Sequence, residues 1–78
     1  MDAFDSARDL YRRGKELIDE TRDRAVLDDE LRWAREDLED ALLDLKRGVT
    51  HFDAFLVLEE IDEVIELMAV IRSIIDDD

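Results

Sequence analysis

Four carboxylates in the C-terminal part of the chain, Glu59, Asp62, Glu63 and Glu66, recur at three- and four-residue spacing, with Glu60 beside them. On a helix this spacing places them on one face, with neighbours roughly 5–6 Å apart. No Lys or Arg lies within four residues of Glu59, Asp62 or Glu63 on that stretch. Like charges one turn apart repel, so a row without local cations has an energetic cost. Three kinds of chemistry suit such a row: holding a divalent cation, acid–base work, or imitating phosphates for a basic partner. The other candidates are isolated. His51 is the only histidine, and Ser6 and Ser73 have neither a nearby His nor a glycine elbow. Gly14 and Gly48 stand alone, so there is no phosphate loop. The chain has no Cys, which removes disulfides and thiolate metal sites.

The segment Glu59-Glu60-x-x-Glu63 resembles the E-E-x-x-E helix of metal-dependent nucleotide pyrophosphohydrolases of the MazG type. The resemblance covers this pentad alone and implies a magnesium site. The E-x-x-D element that completes it in that family, after a further helix, does not follow here. The site would be half-built. No catalytic residue, metal or cofactor is therefore assigned.

A second candidate surface carries Trp33 and Leu43. Both point well away from the apolar stripe of their predicted helix, with Glu36, Asp40 and Asp44 between or beside them. Trp is enriched among interface hot spots, which suits a partner anchor. Coverage by a folded-back first helix would explain it equally well.

These residues need helices to position them, and the periodicity supplies three in one all-α domain spanning residues 1–78. The first is predicted over 2–22, from Phe4, Ala7, Tyr11, Gly14, Ile18 and Thr21. Gly14 on that stripe would let a neighbour come close. The second is predicted over 28–47, from Leu27, Leu31, Ala34, Leu38, Ala41 and Leu45, with Asp28 or Asp29 as N-cap and Gly48 as C-terminal cap. No Gly or Pro marks the break between them, so a helical hairpin with a long first helix, continuous from Asp2 to Arg47, is the alternative. The third is predicted over 51–75, with Thr50 and Asp53 forming a T-x-x-D start. Val57, Ile61, Val64, Met68 and Ile71 form its stripe, widened by Leu58 and Ile65 on one side and by Leu56, Leu67 and Ile74 on the other. Two neighbours from one chain do not easily cover so wide an arc. The stripe from Val57 to Ile71 is therefore expected at a homodimer interface.

Charge limits the partners. The chain of 78 residues has 24 acids and 11 bases, a net charge of −13. Nucleic acid and acidic membranes would repel it, and a protein with a basic surface would attract it. Nothing resembles a signal peptide, since Asp2, Asp5 and Asp9 replace the basic start and apolar run it requires. No apolar stretch approaches the ~20 residues that a membrane span needs. The expectation is a cytoplasmic, non-catalytic binding module. Its most concrete form is a small inhibitor that occupies the basic nucleic-acid site of a partner, as phage-encoded anti-restriction and anti-CRISPR mimics do. The alternative is a helical dimerisation, adaptor or antitoxin-like domain whose acidity reflects adaptation to high salt. Circular dichroism separates these origins of the charge. A binding role predicts full helicity and cooperative melting in dilute buffer. A steep rise in helicity between low and molar salt, as screening relieves self-repulsion, would instead identify salt adaptation.

Overall fold

Asp2, Asp28 and Asp53 start the three long helices. Each carboxylate accepts from the amide three residues on: Asp5 at 2.8 Å, Leu31 at 3.1 Å and Leu56 at 3.1 Å. The first-turn amides of a helix have no partner within it, and a short acidic side chain supplies one. The computed structural model describes residues 2–76. The helices are α1 (Ala3–Glu20), α2 (Arg22–Ala25), α3 (Asp29–Thr50) and α4 (Ala54–Asp76), with no strand among the described residues. The small helical bundle is as expected, with the one-turn α2 added between the first two long helices.

The continuous first helix does not form. Thr21, fully buried, turns its hydroxyl onto the Leu17 carbonyl at 2.9 Å. Arg35 of α3 donates from Nε to Thr21 Oγ1 at 3.0 Å and from Nη2 to the Ile18 carbonyl at 2.9 Å. Arg35 thus reaches the Ile18 carbonyl at the end of α1, while the Leu17 carbonyl also accepts from the Thr21 amide at 3.1 Å, and a cation faces the negative end of the helix dipole. That is why the chain breaks here without Gly or Pro. Leu27, expected on the stripe of the second helix, falls in the turn instead and is 94% exposed.

The turn between α3 and α4 also corrects the expectation. Gly48 does not cap the helix, because α3 continues to Thr50. The left-handed residue is Phe52, at φ 53°. Around it the Phe52 amide donates to the Val49 carbonyl at 3.3 Å and the Asp53 amide to the Gly48 carbonyl at 2.9 Å. This pair of bonds is a Schellman motif, which usually places Gly where Phe52 stands. A side chain there costs about 1–2 kcal/mol. The Phe52 ring meets Phe4 of α1 edge-on, with centroids 5.9 Å apart. Thr50 belongs to α3, so the fourth helix starts on Asp53 alone, at Ala54 rather than His51.

Both glycines serve packing. A Cβ on Gly48 would lie 2.8 Å from Val57 Cγ2, and one on Gly14 would lie 2.8 Å from Leu42 Cδ2. These contacts set the register: α3 runs antiparallel to both α1 and α4. The core is filled by the predicted stripes of α1 and α3, joined by Leu42, and by Val57, Val64, Met68 and Ile71 of α4, with Ile61 half-buried. The residues expected between two chains are therefore inside this one, because α1 and α3 flank α4 and close over its stripe. What remains open is one border of the arc, Leu58 and Ile65, while Leu56, Leu67 and Ile74 are half-buried. No helix is long and apolar enough to cross a membrane among the described residues.

Arg35 provides the test of this architecture. Replacing it with Met keeps the stem and removes both charge-assisted bonds to the end of α1. Such bonds contribute about 1.5–3 kcal/mol each at most. Arg35→Met is expected to lose roughly 2 kcal/mol in urea unfolding. Lys at this position restores little, since one ammonium cannot reproduce the fork.

Candidate functional site: an acidic face along the α3–α4 seam

The apolar stripe of α4 packs inward, so the opposite side of the same helix points out. Glu59, Asp62, Glu63 and Glu66 are all exposed. Among the described residues, every side-chain ion pair found joins an Arg of α1, α2 or α3 to an Asp three or four residues away. They are Arg8–Asp5, Arg12–Asp9, Arg13–Asp9, Arg22–Asp19, Arg32–Asp29 and Arg47–Asp44. None reaches the α4 row. Exposed local pairs of this kind contribute little to stability. Their effect here is on the distribution of charge: α1 and α3 are partly neutralised by their own arginines, and α4 is not.

The α3 candidates are exposed too. α1 covers the side of α3 that carries Leu42, not the side that carries Trp33. Trp33 stays 65% exposed and Leu43 55%. Glu36 and Asp40 are exposed, and Asp44 is half-buried. Glu36, Asp40 and Asp44 are four residues apart, so they form a second acidic line along α3. Asp44 joins this line to the α4 row, since its charge acts on Glu60 across the seam. The two sets thus run side by side and antiparallel. Leu43 lies further round the back of α3, away from α4.

Glu60 is where the reading from spacing falls short. It is 8% exposed, and its Oε2 has no hydrogen-bond partner. Burial, then the charges of Glu63 and Asp44, a side-chain hydrogen bond with Glu63 and the charge of Glu59 push its carboxyl above the ordinary 4.5. The signal was present in the spacing: Glu60 lies three residues after Val57 and four before Val64, on the border of the apolar stripe itself.

No group of three or more His, Asp or Glu side chains is arranged to hold a metal ion among the described residues. His51 lies exposed at the end of α3, and Ser73 is exposed on α4. A concavity of about 210 Å³ between α1 and α3 is lined mainly by Ala7, Tyr11, Leu45 and Val49, with Arg8 and Lys46 at its edge, and holds no carboxylate or imidazole. The site with the most concentrated chemistry is the acidic seam. No family model, curated protein or solved structure matches this chain.

Glu60 has a pH signature with a definite sign. Its folded-state pKa lies above the ordinary value, so the folded chain holds this proton more tightly than the unfolded one. Stability contributed by the group therefore falls as pH rises from about 4.5 to the raised value, and the penalty is constant above it. Glu60→Gln removes the charge that burial and the neighbouring acids penalise, so it is expected to stabilise the protein at neutral pH. The gain should shrink as pH falls towards 4.5. Urea midpoints over a pH series measure this, and a pH-independent difference would contradict it.

Proposed function

We propose that this chain is a non-catalytic protein-binding module that presents its α3–α4 acidic face to the basic, nucleic-acid-binding surface of a partner. The observation that carries the reading is the row Glu59, Asp62, Glu63 and Glu66, exposed and without a pairing cation among the described residues. Neighbours in such a row stand roughly 5–6 Å apart, comparable to phosphates along a strand. Trp33 and Asp40 extend the surface on α3, where an aromatic anchor beside charge suits an arginine-rich site. A net charge of −13 also speeds encounter with a basic groove. The small phage-encoded mimics of nucleic acid act in this way, by occupying the site that the nucleic acid would use.

Reversing Glu59, Asp62 and Glu63 to Lys tests the reading. Helicity should be unchanged, because Lys is a good helix former and the three sites are exposed. Immobilised wild type should capture a nucleic-acid-binding protein at low salt and release it to duplex DNA or RNA. The variant's affinity for the isolated partner should fall about 100-fold or more, in line with the loss of charge-assisted interface contacts. Equal binding by wild type and variant would reject this face.

A further inference from the structure

We propose that Glu60 is the seat for one arginine of the basic partner: its carboxylate turns outward between Glu63 and Asp44 to pair with a guanidinium. The inference rests on the reading of the α3–α4 face as the binding surface and names the chemistry at its centre. Three observations meet at this point. Glu60 is more than nine-tenths buried, and its Oε2 is unpartnered. The groups that face it are all acids, Glu59 and Glu63 from α4 and Asp44 from α3. Among the described residues, the one cation paired with any of them is Arg47, which is exposed and held 3.8 Å from Asp44 rather than from Glu60.

A buried carboxylate among other carboxylates is unfavourable as an anion, so its protonated form is favoured relative to that of a free carboxyl. A cation from a partner is the other way to satisfy it. The observed arrangement favours an arginine over a metal ion, because no three carboxylates are placed to coordinate one among the described residues. A planar guanidinium needs less: two oxygens in its fork and a second acid alongside. It is also more weakly hydrated than an ammonium, so arginine enters a half-buried notch more easily than lysine. Glu60 would then be a specificity residue as well as an affinity one, because the exposed acids around it accept either cation.

A short oligoarginine peptide, with oligolysine for comparison, serves as the probe in titration calorimetry. The expected result is that oligoarginine binds the parent protein more tightly than oligolysine of the same length. Glu60→Gln should remove most of this preference for arginine over lysine. Glu66→Gln removes the same charge further along the row, and should weaken binding while leaving the preference intact. Circular dichroism shows that both variants are folded. If the peptide binds the Glu59/Asp62/Glu63 Lys-reversal variant as well as the parent, the acidic-face reading falls and this inference with it. If the reversal abolishes binding, but Glu60→Gln keeps the preference for arginine as Glu66→Gln does, the face stands and the role of Glu60 is overturned.

Discussion

The burial of one stripe of α4 is the constraint on which the rest of the molecule depends. Val57, Val64, Met68 and Ile71 are too apolar and too many to leave in water, and each buried side chain of this size is worth roughly 1.5–3 kcal/mol. α3 covers one flank of the stripe and α1 the other. Once the stripe is inside, helical geometry leaves no choice for the opposite face: Glu59, Asp62, Glu63 and Glu66 must point out. The acidic surface and the core are two sides of one helix, and neither can be repositioned without the other.

Helix ends, rather than surface ion pairs, carry the side-chain hydrogen bonds that link one helix to another. Aspartates satisfy the starts. Arginines satisfy ends: Arg35 reaches from α3 to α1, and Arg24 donates to the Ile75 carbonyl near the end of α4 at 3.3 Å. Such bonds bridge separate elements, so they lock the angle between helices as well as the carbonyl they cap. The hairpin between α3 and α4 is closed by Phe52 in a conformation that favours glycine, with Phe4 against its ring. The glycines go instead to positions where two helices need to touch, Gly48 against Val57 and Gly14 against Leu42.

The electrostatics follow from this division. Arginines engaged at helix ends or paired one turn away cannot neutralise α4, whose only base is Arg72. The seam between α3 and α4 therefore concentrates negative charge, and Glu60 is drawn into it because its place on α4 is already half core. A surface of this kind is costly to the free protein and favourable only opposite a cation, which is the physical content of the proposed function.

The three long helices, their stripes and the outward row were legible in the residue pattern alone. A period of 3.6 residues is a local property, and it sorted Leu31, Leu38, Leu45, Val57 and Val64 from Glu59 and Glu63 without reference to anything else. The chain break and the turn were not legible. Both depend on residues distant in sequence: Arg35 is 14 residues from the Thr21 hydroxyl it binds, and Phe4 lies beside Phe52 only after α1 folds back. The expected dimer seam became intramolecular core for the same reason, since the width of an apolar arc says how much must be covered and not by which chain. Whether Trp33 was covered was decided by the side of α3 on which α1 lands. Glu60 lay on the border between stripe and row, and only the packing of α3 against α4 decided that its carboxylate would be buried.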